Sequence, residues 1–181
     1  MKYVVLLRGV NVGGKRPVPK SEFIRVLEQC GFTNVTTYIN SGNAVIESAV
    51  EPVAADVQKA LETHFGFDIP TLIVSGDKIR AIARAIPSDW TNDRHTPEKT
   101  GYKSDIVYLF HEANSIDTVT KIGHKPEIED MLYVDGAVLV RIARKNISRG
   151  SMQKVVGTEL YQYITIRNLT TAKKLAELVG E

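Results

Sequence analysis

Apolar positions along this chain fall into two alternating rhythms, and the order of the rhythms repeats. Tyr3–Arg8 is apolar on both faces, the pattern of a central strand. A Gly- and Pro-bearing loop follows. Phe23, Ile24, Leu27 and Cys30 then mark one stripe of a helix starting near Lys20 or Ser21, with Gly31 placed to end it. Val35–Ile39 and Ala44–Glu47 read as strands around the turn Asn40-Ser41-Gly42-Asn43. Pro52 suits the first turn of a second helix carrying Val53, Val57, Leu61 and Phe65, closed by Gly66. Thr71–Val74 is a short strand. Ile79, Ile82, Ala83 and Ile86 predict a third helix that Pro87 stops.

From Pro87 to Lys103 the periodicity disappears, and the segment reads as a linker between residues 1–87 and 104–181. The second part follows the script of the first. Asp105–Phe110 is an apolar strand. Ile116, Val119 and Ile122 mark a short helix closed by Gly123. Met131–Val134 and Ala137–Ile142 flank Asp135-Gly136, a dipeptide favoured in type I′ hairpins. A helix is expected over Gly150–Tyr161, a strand over Tyr163–Arg167, and a last helix capped by Thr170 or Thr171. Each half therefore predicts strand–helix–strand–strand–helix–strand–helix. The fold class expected is α+β, with two ferredoxin-like (split βαβ) subdomains in tandem. In that topology the loop after the first strand, Arg8–Arg16, meets the turn Asn40–Asn43. The loops after the third and fourth strands meet at the other end, which in the second half brings Arg144–Arg149 toward Arg167–Thr171.

Composition narrows the class. The 181 residues are 43% hydrophobic and 24% charged, which excludes global disorder. A chain of this length buries roughly 70% of its unfolded surface without metal or disulfide. Its one cysteine, Cys30, cannot form an internal disulfide and fits a reducing, cytoplasmic setting. The longest apolar run ends at Arg8, too short to span a membrane. Net charge is only +2, but it is unevenly distributed: 91–135 carries −4 and 136–181 carries +5. Arg141, Arg144, Lys145, Arg149 and Lys154 lie in one stretch without an acid, a basic surface suited to RNA or an acidic protein. Ferredoxin-like sheets that bind RNA stack bases on aromatic strand residues. The central strands here are aliphatic, so nucleic acid is disfavoured on the sheets and left to the basic loops.

Gly9–Lys15 fits G-x-x-x-x-G-K after a strand, yet Arg16 stands where a phosphate loop needs Ser or Thr, and Pro17 and Pro19 delay the helix. A looser reading survives. Gly13 and Gly14 free backbone amides for an anion, with Arg8, Lys15 and Arg16 supplying charge. Three motifs, R-G-V-N-V-G-G-K at Arg8–Lys15, T-Y-I-N-S-G-N at Thr37–Asn43 and T-I-R-N-L-T-T at Thr165–Thr171, resemble a bacterial family known only as domain of unknown function sixteen-ninety-seven. The resemblance implies a two-part α+β structure and no activity, because no catalytic residues come with it. Leu169-Thr170 departs from the Trp-Asn of the family's closing motif.

Ser151–Lys154 (S-x-x-K) and Lys99-Thr100-Gly101 (K-T-G) mimic penicillin-recognising enzymes, but their order is reversed and S-D-N is missing. The four histidines are dispersed, so no metal site is expected. Asp89, Asp93, Arg94 and His95 are the best acid–base candidates, and Trp90 reads as a packing anchor. The expectation is thus a small carboxylate- or phosphate-bearing ligand in an inter-subdomain cleft. Arg8, Asn11, Gly13, Gly14, Lys15, Ser41, Asn43, Arg167, Asn168 and Thr171 are its candidate contacts. No cofactor or reaction is assigned. RNA or an acidic protein on the basic loops is the alternative partner, and a homodimeric interaction protein the third.

Overall fold

A computed structural model describes residues 1–94, 97–98 and 100–180. Its first sheet is antiparallel throughout. β1 (Lys2–Leu7) lies between β3 (Asn43–Glu47) and β4 (Thr71–Ser75), and β2 (Thr33–Thr37) is added beyond β3. Val4 stands opposite Val45 on one side and Val74 on the other. α1 (Lys20–Gln29) and α2 (Ala54–Phe65) cover one face. Phe23 and Leu27, one turn apart, close with Val57 and Leu61 over Tyr3, Val5, Leu7 and Ile46. Each of these large side chains contributes about 1.5–3 kcal/mol when fully buried. α2 stops at Gly66, whose left-handed φ of 77° lets its N–H return to the Glu62 carbonyl at 2.8 Å. α3 (Gly76–Arg84) follows β4 without a gap.

The second sheet repeats the order. β5 (Tyr102–Leu109) is flanked by β7 (Ala137–Ala143) and β8 (Ile164–Asn168), with β6 (Glu129–Val134) beyond β7. One face packs on α4 (Asp117–Ile122) and α5 (Met152–Val155) through Val107, Leu109, Ile122, Val138, Val140 and Val155. α6 (Leu169–Val179) follows β8 without a gap. The residues divide into two compact units, Met1–Arg80 with Leu175–Glu181, and Ala81–Lys174, so the division passes through α3 and α6. The architecture is α+β, two similarly built sheet-and-helix lobes in tandem. On the sheet faces turned away from these helices, Val4, Leu6, Ile106, Tyr108 and Leu139 are also buried, so the central strands offer no open aromatic platform.

Three expectations give way to the structure. Gly150–Tyr161 is not one helix. A 3₁₀ turn over Arg144–Arg149, the four-residue α5 and a second 3₁₀ turn over Glu159–Tyr163 replace it. Gly150 sits so close to Ile142 that a Cβ would lie 2.7 Å from its Cδ1. Thr158, just past Gly157, is extended, which interrupts the helix ladder. α6 is capped by Asn168 rather than by a threonine, its Oδ1 accepting the Thr171 N–H at 2.8 Å. In the Asp135-Gly136 hairpin only Gly136 is left-handed, which excludes type I′. No helix of the described residues is long and apolar enough to cross a membrane.

Candidate functional site

The strand order of the first unit brings the end of β1, the β2–β3 turn, the start of α1 and the start of β4 to one edge. The loop after β1 is a miniature hairpin. Asn11 N–H donates to Arg16 O at 3.1 Å and Lys15 N–H to Val12 O at 3.0 Å, with Val12 and Lys15 bridged. Gly13 and Gly14 form its tip, both left-handed (φ 56° and 74°), the type I′ pattern that the sequence suggested for Asp135-Gly136. Asn11 laces this hairpin to its surroundings. Its Nδ2 donates to Asn40 O at 2.8 Å and Val18 O at 3.2 Å, and its Oδ1 accepts from Val18 N–H at 2.8 Å.

The facing turn is equally fixed. Gly42 accepts the Leu7 N–H at 2.8 Å, and Asn43, 1% exposed, donates to Tyr38 O (3.1 Å) and Ser41 Oγ (2.8 Å). Asn11, Ser41 and Asn43 therefore spend these groups on loop shape. Arg8 anchors β1 to Pro70 through its N–H at 3.0 Å. Arg16 folds its guanidinium over the Phe67 ring, 5.3 Å from the centroid. Lys15 is exposed, and no described residue pairs with its ammonium.

A depression of about 290 Å³ opens between the hairpin and the start of α1. Asn11, Lys15, Pro17, Val18, Lys20 and Asn40 line it, with Gly14 and Pro19. Two lysines enter the lining and no carboxylate does. Three other depressions each include an acid: Asp77, Glu127 or Asp56.

The same edge holds a carboxyl pair that sequence spacing did not reveal. Glu62, near the end of α2, and Asp68, beyond the Gly66 bend, share a hydrogen bond. Gln58 Nε2 donates to both, at 2.9 and 3.1 Å. The bond to Glu62 holds the Asp68 carboxyl above its ordinary value, opposed by the charges of Arg16 and Arg8. Hydrogen bonds from Asp68 and Gln58 hold Glu62 below its own. The spacing of the two acids along the chain does not place them on one helix face. The Gly66 turn closes the distance, and Gly66 was the signal available.

Arg167, Asn168 and Thr171 belong to the second unit. Arg167 is buried on β8 and donates to Thr165 Oγ1 at 2.8 Å and Ile166 O at 2.9 Å. Burial lowers its pKa to about 10, and the neighbouring Tyr108 works in the opposite direction. Asn168 and Thr171 form the α6 cap. On the basic surface, Arg144 turns its guanidinium to the Asp93 carbonyl, and Lys145 is exposed. Arg149 and Lys154 reach a depression of about 310 Å³ that also contains Lys125 and Glu127.

Two of the acid–base candidates, Asp89 and Asp93, are engaged by neighbouring groups. Arg141 pairs with Asp89 (2.8 Å) and Asp130 (2.9 Å) and lies over Trp90 and Tyr102, 5.2 and 5.0 Å from their centroids. Arg141 holds the Asp89 carboxyl below the usual range, and hydrogen bonds from Tyr102 N–H and Thr91 do the same for Asp93. Burial, then Asp56, pushes the Cys30 thiol up, away from the thiolate. His95 and Lys99 lie outside the described residues. Among the described residues no three His, Cys, Asp or Glu side chains gather as a metal site would require.

Two four-stranded lobes in one chain, with a lysine-bearing loop at one edge, define an α+β protein with no recognisable catalytic constellation among the described residues. The chain belongs to the family described as "Protein of unknown function (DUF1697)", whose model matches residues 1–139. The matched range holds the first two motifs, and Thr165–Thr171 falls beyond it. Among solved structures, the conserved bacterial protein SP0830 from Streptococcus pneumoniae is similar, with 25% identity over 98% of each chain and a TM-score of 0.75. No curated protein matches.

Proposed function

We propose that the protein binds a small anion, a carboxylate or a phosphate, in the depression between the β1 hairpin and α1 of the first unit. The observation that carries this reading is its lining: Lys15 and Lys20 present two ammonium groups with no carboxylate among the lining residues to neutralise them. A hydrogen bond to a charged group contributes about 1.5–3 kcal/mol, and association has its own entropic cost, so the binding expected from two lysines is weak. The hairpin geometry supports preorganisation, since Asn11 ties the loop at three points before a ligand arrives. Strand order in each unit, with the third strand between the first and second, favours ferredoxin-like topology as the scaffold. The lone thiol favours a reducing, cytoplasmic setting.

The test is calorimetric titration with inorganic phosphate and with acetate, beside thermal unfolding. A ligand at a hundred times its Kd stabilises the folded state by about 2.7 kcal/mol. Saturable heat and a rise in Tm are expected, and both vanish in the variant Lys15→Ala/Lys20→Ala. A salt effect that never saturates is general exclusion from the surface. That result, or saturable binding that survives the double substitution, overturns the proposal.

A further inference from the structure

Resting on that reading, we infer that the anion recognised by the first unit carries an apolar group, which lies against Val12 and Ile39 while its charge meets Lys15 and Lys20. The lining of the depression is itself mixed, since the exposed Pro17 and Pro19, which lie between the two lysines in sequence, add apolar surface to it. A site for a bare, fully hydrated ion gains nothing from such surface. An anion with a hydrocarbon part gains from removing that part from water.

Two exposed aliphatic residues adjoin lining residues, Val12 after Asn11 and Ile39 before Asn40. Val12 is 68% exposed and Ile39 is 41% exposed. Val12 is the bridged partner of Lys15 in the miniature hairpin. Residues directly opposed across an antiparallel pair point to the same side, so the apolar side chain of Val12 stands beside the Lys15 ammonium stem. Ile39 precedes Asn40, whose carbonyl accepts from Asn11 at 2.8 Å and which lines the same depression. Positive charge flanked by exposed aliphatic surface is complementary to an organic anion such as an aryl or branched-alkyl carboxylate or phosphate ester. Water on Val12 and Ile39 is displaced by the apolar part, while the oxyanion keeps one side open to solvent.

Calorimetric titration compares inorganic phosphate with phenyl phosphate, on the wild-type chain and on Val12→Thr/Ile39→Thr. Threonine keeps β-branching at both positions, matches valine in size, is one heavy atom smaller than isoleucine and removes apolar surface; both sites are on the exterior, so the fold is retained and circular dichroism checks this. Phenyl phosphate is expected to bind about tenfold more tightly than phosphate, a preference that the double variant reduces to about twofold or less. Equal affinity of wild type for the two ligands overturns this inference and leaves the anion site standing. A preference that persists in the threonine variant also overturns it, because the apolar group is then held elsewhere. Failure of both ligands to bind sinks the anion site together with the inference. A shift to dimer on adding neither ligand, abolished by the threonines, reassigns the apolar surface to a second copy of the chain and overturns the inference.

Discussion

At Gly42 two demands coincide. The residue is left-handed, with φ 69°, and a Cβ there would lie 2.7 Å from both Leu7 Cβ and Val10 Cγ2. Gly14 meets only the first demand, since its φ is 74° and nothing lies within 4 Å of where a Cβ would be. Gly42→Ala is therefore expected to cost about 2–4 kcal/mol, from overpacking added to left-handed strain. Gly14→Ala is expected to cost about 1–2 kcal/mol from strain alone. Urea denaturation of the two variants measures the difference, and equal losses would refute the steric account of Gly42. The sequence showed a turn at both places, because Gly beside Asn or Gly announces φ above zero. Strand order brings the Gly42 turn to the end of β1, but the sequence could not show how closely the Leu7 and Val10 side chains press on it. The same limit explains Asn11, Ser41 and Asn43. Their residue types suggested ligand contacts, while the bonds they make within the loops and to the backbone of the neighbouring loop depend on which segments the fold brings together.

Among the elements, α6 shows how a helix is fixed from outside its own sequence. Its last turn contains no basic residue. Arg80 donates to Gly180 O at 2.9 Å and Lys2 to Leu178 O at 3.4 Å, so cations from α3 and β1 meet the carbonyl end. At the other end Asn168 supplies the cap. Arg80→Ala and Asn168→Ala are each expected to cost about 1 kcal/mol, measured by thermal or urea unfolding. If the two ends act independently, the double variant loses the sum to within about 0.5 kcal/mol. Strands and long helices were legible because their apolar period is set by burial on one face, as in Phe23 and Leu27 or Val57 and Leu61. The 144–163 segment was not, because its turns are only a few residues long and bury single side chains such as Val155, which leaves no period to read. The Glu62–Asp68 pair was hidden for a related reason. A helix end and a turn have no common period.

For the molecule as a whole, strand order was the informative inference: it joins the loop after β1 to the β2–β3 turn before any side chain is considered, and the Asn11–Asn40 and Leu7–Gly42 bonds follow from it. Charge behaves less locally. The chain carries 23 Lys and Arg against 21 Asp and Glu, so acidification removes the anions and leaves a strongly cationic molecule that repels itself. That global loss masks individual ion pairs, and a difference measurement is needed to see one. Asp89 is suitable because its pKa in the folded state lies below the ordinary aspartate value through its bond to Arg141. The sign follows from linkage. With the folded pKa depressed, the folded state binds fewer protons, so the pair's stabilisation is complete above about pH 4 and is lost as pH falls through the folded value. Asp89→Asn should therefore lower the urea midpoint at neutral pH, where wild type holds the full interaction. The gap between the two proteins should stay constant above the ordinary aspartate range and close as pH falls below it. Trp90 is the chain's one tryptophan and lies under the Arg141 guanidinium, so its fluorescence follows the transition in the second unit. A gap that does not close on acidification would show that the asparagine variant differs from wild type by packing alone, and that charge on Arg141 is held by Asp130 without help.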